Sequence, residues 1–230
     1  MDSLSIVIPA YNEERRLPDT LDRILEWLQG QHPSFGEIIV VDDGSSDGTA
    51  GLVEEYRRTH PSVRLLRNPG NRGKGYAVRN GMLEATGNWI LSTDADLSTP
   101  IAEVSKLYSA ALEQEAVIAI GSRAVDRSLV EVHQPALREY SGRFFNLLMR
   151  AVTGLPFRDT QCGFKLFRND AAKQIFALQK QDGFSFDVED LVIAGKLGLR
   201  AVEVAVRWRN AEGTKVCLLY TLTLPTIYSV

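Results

Sequence analysis

Short aliphatic runs return at intervals along the first 120 residues, and each is followed by apolar residues spaced three and four apart. Ser5-Ile6-Val7-Ile8 is the first run, broken by Pro9; Leu17, Leu21, Ile24, Leu25 and Leu28 then share one helical face. Glu37–Val41 is nearly all aliphatic, as a strand is when both faces of a parallel sheet are covered. Ser46-Asp47-Gly48-Thr49 supplies helix-start chemistry ahead of Leu52, Val53 and Tyr56. Val63–Leu66, Trp89–Leu91 and Val117–Ile120 read as further strands, and Lys74–Ala85 and Ile101 to about Glu113 as further helices. This alternation confines the chain to a parallel, doubly wound α/β sheet with right-handed crossovers. Such a sheet binds ligands beyond the carboxyl ends of its strands.

With 230 residues the chain can hold one large domain or two small ones, and no repeat, low-complexity tract or linker divides its first half. A net charge of −3 gives no basic stripe, so no nucleic-acid partner is expected. Cys162 and Cys217 lack metal-ligand spacing, which argues against zinc and a disulfide framework and for a reducing, cytoplasmic setting. Met1-Asp2-Ser3-Leu4 has no basic or long apolar character, so no signal peptide is expected; no apolar run is long enough for a membrane-spanning helix.

Polar clusters fall at the predicted carboxyl ends: Pro9-Ala10-Tyr11-Asn12-Glu13-Glu14, Asp42-Asp43-Gly44-Ser45, Asp94-Ala95-Asp96 and Gly121-Ser122-Arg123. One cluster is explicable as turn chemistry; four at one sheet edge are better explained by a site. Asp94 and Asp96 stand two apart at the end of a strand, so their carboxylates share a face. They either cap the turn before Ser98-Thr99-Pro100 or hold a hard divalent cation, Mg²⁺ or Mn²⁺, whose shell diphosphate oxygens would complete. Tyr11 offers a ring for stacking, with Asn12 and Glu13 as polar contacts; packing is the alternative for Tyr11. Asp42 or Asp43 has the chemistry to accept the N3–H of a uracil ring, or to start the next helix. Asn71-Arg72-Gly73-Lys74-Gly75 is a basic, glycine-punctuated loop whose N–H groups and Lys74 suit phosphate or sugar oxygens.

Taken in order, these motifs resemble glycosyltransferase family 2, the inverting nucleotide-sugar transferases of GT-A fold. The resemblance runs from about residue 4 to 215. Gly73–Arg79, Asp94–Pro100, Asp159–Phe167, Phe186–Glu189 and Arg207-Trp208 look most like the branch that makes dolichyl- or polyprenyl-phosphate glucose. The resemblance implies a single-domain enzyme over 1–215, with a nucleotide-sugar half at about 1–123 and an acceptor half at about 124–215. Pro9, Tyr11 and Glu13 would line the nucleotide pocket, with Asp42 or Asp43 on the uracil and Lys74 and Asp94 on the nucleotide sugar. Asp94 and Asp96 would hold the metal. Arg123, Arg138, Arg143 and Lys165 would meet the acceptor phosphate. The catalytic set would be Asp96, Arg123, Asp159 and Glu189, with Asp159 and Glu189 the candidate bases if one is needed; Asp187 would lie nearby on a later helix. The implied reaction moves glucose from UDP-glucose to a lipid phosphate, or uses GDP-mannose, UDP-GlcNAc or a polysaccharide hydroxyl instead. A nucleotidyltransferase would want a glycine-rich basic loop where Pro9–Glu13 stands, and a binding module would leave Asp94 and Asp96 idle.

Beyond Arg123 the pattern changes. Ala136–Val152 is amphipathic, with Arg138, Arg143 and Arg150 between its apolar residues. It either covers the core or lies on a membrane surface, which would make the protein peripheral at the cytoplasmic face. The run 216–230 is apolar, interrupted at Pro225, and stays open between edge strand, membrane-touching tail and disordered end. No sequence feature fixes an oligomeric state.

Overall fold

The computed structural model describes residues 3–31, 35–132 and 152–210. The helix expected over Ala136–Val152, with Arg138 and Arg143, and the tail 216–230 therefore lie essentially outside the described residues. Nine strands run in chain order among the described residues: β1 (Ser3–Ala10), β2 (Phe35–Asp42), β3 (Val63–Arg67), β4 (Trp89–Ser92), β5 (Ile118–Ser122), β6 (Val130–Val132), β7 (Lys165–Arg168), β8 (Ala201–Ala205) and β9 (Trp208–Arg209). The helices are α1 (Leu17–Gln31), α2 (Thr49–Thr59), α3 (Lys74–Glu84), α4 (Val104–Glu113), α5 (Asn169–Leu178) and α6 (Phe186–Lys196). A 3₁₀ turn over Ile101–Glu103 leads into α4.

Seven strands form one sheet in the order β3-β2-β1-β4-β7-β5-β8, and β6 and β9 pair separately. All pairings in the large sheet are parallel except those of β7, which runs antiparallel to both β4 and β5. The strand β7 was not foreseen: four residues beginning with a lysine carry no periodic signal. Because it lies between β4 and β5, the two halves of the sequence share one sheet and form one domain.

Strand β1 extends past Pro9 to Ala10, longer than the aliphatic run suggests. Its ladder to β4 covers only Leu4–Val7, while the ladder to β2 continues through Pro9 and Ala10. The N–H that proline lacks thus falls beyond the end of β4, where a central strand tolerates it. Strand β5 likewise absorbs Gly121 and Ser122, leaving Arg123 just past its end.

Both faces of the sheet are covered. Leu4, Ile6 and Ile8 pack with α1 through Leu17, Leu21 and Ile24 and with α4 through Val104 and Leu107. Val7, Ile39 and Val41 pack on the other face with α3, α5 and α6. Helix α3 lies close because Gly81 faces the sheet; a Cβ there would come within 2.4 Å of Val7 Cγ1. Among the described residues no helix is long and apolar enough to cross a membrane.

Candidate functional site

The strand order reverses beside β1, whose neighbours β2 and β4 leave in opposite directions, so a crevice opens beyond the carboxyl ends of these strands. The loops after β1 and β2 are stitched together there. Asn12, at φ 55°, accepts at Oδ1 from the Ser46 N–H at 2.8 Å, and its own N–H donates to Ser45 Oγ at 2.9 Å. The Glu13 N–H donates to Thr49 Oγ1 at 2.8 Å, and its carboxylate takes Arg16 through Nε and Nη2, each at 2.7 Å. The Glu13 carbonyl oxygen accepts the N–H groups of Arg16 and Leu17 and so starts α1. Asn12 and Glu13 therefore brace the loops, while Tyr11 stands exposed beside them.

Asp42 and Asp43 are both buried, but their partners differ. Asp42 Oδ1 accepts from the Ser45 N–H at 3.1 Å. Asp43 accepts from Asn68 Nδ2 at 2.7 Å, from the Arg72 N–H at 3.1 Å and from the Gly73 N–H at 2.8 Å. Its carboxylate thus anchors the basic loop foreseen at residues 71–75. Asn68, which belongs to none of the sequence motifs, links Asp43 to Asn80, whose Nδ2 donates to Asn68 Oδ1 at 2.9 Å. The Asn68-Pro69-Gly70 turn was the available signal.

Gly73, at φ 108°, ends that loop and Lys74 opens α3. A Cβ on Gly73 would come within 2.3 Å of the Asp182 carbonyl oxygen, and one on Gly75 within 2.4 Å of the Gln181 carbonyl oxygen. The start of α3 is therefore clasped by residues 181–183, and Gln179 Nε2 reaches the Gly75 carbonyl at 3.0 Å. From this fixed base Lys74 Nζ reaches Asp94 Oδ1 at 2.7 Å. On the far side of Asp94 stands Gly163, where a Cβ would lie 2.5 Å from Oδ2. Asp96 faces the turn, its Oδ1 accepting from the Ser98 N–H at 3.0 Å.

Two further ion pairs surround Asp94. Lys165, the buried first residue of β7, donates through Nζ to the Cys162 carbonyl at 2.7 Å and to Asp187 Oδ1 on α6. Arg123 meets buried Asp159 in a fork, Nε to Oδ2 at 2.6 Å and Nη2 to Oδ1 at 2.8 Å, and its guanidinium lies over the Trp208 ring. Glu103 ties down the same wall by accepting from Arg207 Nε at 2.7 Å. Glu189 is engaged elsewhere; it accepts the N–H groups of Lys180 and Gln181 and holds the clasping segment.

The charges tune one another. Burial opposes the ionised form of Asp94, but Lys74, Lys165 and Arg123 together hold its carboxyl below the usual range. Burial likewise opposes the charge on Asp159, which Arg123 outweighs, so this carboxyl is also lowered. Against burial, Asp94, Asp187 and Asp96 raise the Lys74 ammonium above the usual lysine range. Burial and the neighbouring Asp159 carboxylate push the Cys162 thiol up to about 11, which makes it an inert core residue. Asp190 is the exception among the carboxyls: burial and Asp187 raise it well above the usual range, and its Oδ1 has no hydrogen-bond partner among the described residues.

The structure thus gathers Asp94, Lys74, Lys165, Arg123, Asp159 and Asp187 into one network, with Asp42 and Asp43 anchored to its loops. A crevice of this kind, with three cations set around one carboxylate at a sheet switch point, suits an anionic ligand such as a diphosphate that arrives with a cation.

Comparison with known proteins agrees with this fold. Residues 5–176 match the family Glycosyl transferase family 2. A dolichyl-phosphate beta-glucosyltransferase of Trichomonas vaginalis is 37% identical over 93% of this chain and 68% of its own length. That of Drosophila melanogaster is 41% identical over 93% and 69%. The chain thus spans about two thirds of the length of these relatives. Among solved structures, glucosyl-3-phosphoglycerate synthase of Mycobacterium tuberculosis, in complex with Mn²⁺, UDP-glucose and phosphoglyceric acid, aligns with a TM-score of 0.63 at 20% identity, covering 91% of this chain and 72% of that one. A mannosyltransferase from Pyrobaculum calidifontis in complex with GDP-Man and Mn²⁺ aligns at 0.59 and 19%, covering 94% and 59%. Both share the fold, and the sequence relatives share more than the fold. The chain is a glycosyltransferase of GT-A fold and belongs to glycosyltransferase family 2.

Proposed function

We propose that the protein transfers glucose from UDP-glucose to a dolichyl or polyprenyl phosphate, with inversion at the sugar. One observation carries the chemistry: Asp94, two residues past the end of β4, is ringed by Lys74, Lys165 and Arg123, where a diphosphate can replace one carboxylate as the partner of these cations. The names of the two relatives reported above, both dolichyl-phosphate beta-glucosyltransferases, direct the reading to glucose and to a lipid phosphate. The nucleotide would lie over Pro9, Tyr11 and Glu13, with its base at Asp42 or Asp43.

The donor set fits a hard divalent cation, Mg²⁺ or Mn²⁺. Asp94 and Asp96 present carboxylate oxygens at one strand end, and among the described residues no cluster of three or more acidic, histidine or cysteine side chains could share an ion. Diphosphate oxygens would then complete the shell. Held there, the ion would offset negative charge on the departing UDP. Lys74 would meet the same diphosphate.

The acceptor oxygen forms the new bond to the sugar C1 as the C1–O bond to UDP breaks, and that electron pair leaves on the UDP β-phosphate. A lipid monophosphate, with a second pKa of about 6, is already mostly an oxyanion at neutral pH and has no proton to give up. The partners of both candidate bases support this route: Asp159 is paired with Arg123, and Glu189 with backbone N–H groups. Arg123, oriented by Asp159 and Trp208, is placed to meet the acceptor phosphate, with Arg138 and Arg143 as further candidates. Buried Lys165 serves the reading better as electrostatic support for Asp94 than as a phosphate contact. The acceptor's hydrocarbon chain would keep this end of the protein at a membrane surface, on the cytoplasmic face.

A transfer screen tests the proposal, pairing UDP-glucose, UDP-GlcNAc and GDP-mannose with dolichyl phosphate, polyprenyl phosphate and a glucan hydroxyl. Transfer from UDP-glucose to the lipid phosphates in the presence of Mg²⁺ or Mn²⁺ is the expected result. Faster transfer from another donor, or to the hydroxyl, would overturn it.

A further inference from the structure

We infer that Lys74 is the resident counter-ion of Asp94, guarding the metal position against a bare divalent cation and turning to the diphosphate only when metal and nucleotide arrive together. This rests on the metal reading of Asp94 and Asp96 proposed above.

The three ion pairs at the site are not equivalent. The Lys165–Asp187 side chains are 3% and 7% exposed, and Asp159 beneath Arg123 is 2% exposed. In the Lys74–Asp94 pair the lysine is 23% and the carboxylate 39% exposed, so this is the pair that an incoming ligand can open. Its two halves also differ in freedom. Asp94 is backed by the Gly163 backbone, which leaves its Oδ2 little room on that side. The backbone of Lys74 is pinned, because the Arg72 and Gly73 N–H groups are bound to Asp43 and Gly73 and Gly75 abut residues 181–183. What remains free to swing is the lysine side chain, whose ammonium otherwise lies 5.8 Å from the Phe186 ring centre.

Charge balance then sets the order of events. Lys74, Lys165 and Arg123 already offset three of the four carboxylates of Asp94, Asp96, Asp159 and Asp187. A lone divalent cation must displace the Lys74 ammonium from its ion-pair partner and leave it only the weaker pull of Asp187 and of Asp96, which the metal would also claim. A diphosphate removes that cost because its oxygens accept the displaced ammonium. Metal and nucleotide consequently bind with positive coupling, and each tightens the other by the same factor.

Mn²⁺ titration read by the electron paramagnetic resonance signal of the free ion tests this without any turnover. Wild-type protein should bind Mn²⁺ weakly alone and much more tightly with UDP. Lys74→Met and Lys74→Gln should bind bare Mn²⁺ about tenfold more tightly than wild type, and UDP should then add much less, as loss of a coupling of this usual size predicts. Lys74→Arg, which keeps the charge, should retain weak bare binding. Far-ultraviolet circular dichroism and melting curves confirm that each variant is folded. If both neutral variants bind bare Mn²⁺ no better than wild type while Asp94→Asn abolishes UDP-dependent binding, the role of Lys74 is overturned and the metal site stands. If UDP brings no Mn²⁺ to wild type, the metal reading falls and this inference with it.

Discussion

The edge of the crevice after β1 and β2, proposed above for the donor and so called the donor edge, and the edge around β5 and β7, proposed for the acceptor and so called the acceptor edge, hold their charges in different ways. After β1 and β2 the polar residues are fixed largely by backbone N–H groups: Asp43 by Arg72 and Gly73, Asp42 by Ser45, Asn12 by Ser46. Around β5 and β7 they are fixed by other side chains of opposite charge, Arg123 by Asp159 and Lys165 by Asp187. A carboxylate anchored on amides keeps its loop in shape and faces a ligand with partial charges. A buried ion pair is costly to break on one side, because the survivor is left charged and unpaired. The donor edge should therefore tolerate loss of a single carboxylate charge better than the acceptor edge. Asp94 belongs to both edges, and that makes it the most sensitive position.

The largest effect is expected at that junction. Asp94→Asn should lower glucosyl transfer about 10³-fold, as the loss of a principal electrostatic element at a reacting centre does; a radiolabelled transfer assay measures it, and a drop under tenfold would break the comparison. Next comes a contrast in stability. Asp159→Ala strands the Arg123 guanidinium and should cost about 3 kcal/mol, whereas Asp43→Asn keeps an oxygen for the amides and should cost on the order of 1 kcal/mol. Urea unfolding of the two variants decides; equal losses would show that the edges do not differ. Gly163→Ala comes third. Its methyl group would push against Asp94 Oδ2, so transfer should fall roughly tenfold to a hundredfold with only a small change in melting temperature, since the obstacle is a side-chain tip.

The smallest effect concerns Asp190, buried on α6 behind the acceptor edge. Burial and Asp187 raise its folded pKa, so folding favours the protonated acid. Its contribution is complete below the unfolded carboxyl range and is lost as pH rises toward the raised folded value. Asp190→Asn imitates the neutral acid at every pH. Its melting temperature should exceed that of wild type at pH 8, and the gap should close toward pH 4; a constant gap would show that Asp190 does not titrate with folding.

Much of the donor edge was legible because its residues act through their own loops. The alternation of aliphatic runs and helical spacing fixed β1 to α4 nearly to their boundaries, and the clusters after β1, β2 and β4 do meet at one crevice. Asp94 and Asp96 announce themselves by spacing, and Gly73-Lys74-Gly75 by the backbone close approach that only glycine permits. The acceptor edge was harder to read. The resemblance places Lys165 at the acceptor phosphate, yet β7 carries it into the sheet beside Ser92 and Ile120, where Asp187 and the Cys162 carbonyl make its charge tolerable. Glu189 looks like a candidate base on a helix face, but it holds the segment that clasps the start of α3.

By itself the sequence determined the sheet, the crevice and the chemical character of its donor edge, because strand periodicity, turn residues and carboxylate spacing are local properties of the chain. Only the tertiary structure decided which charges face each other. Lys74 and Asp94 are twenty residues apart, Lys165 and Asp187 twenty-two, Arg123 and Asp159 thirty-six. Ionic attraction acts through space and carries no sequence period, so these partners are set only by the packing of the elements that carry them, with β7 bringing Lys165 into the sheet between β4 and β5.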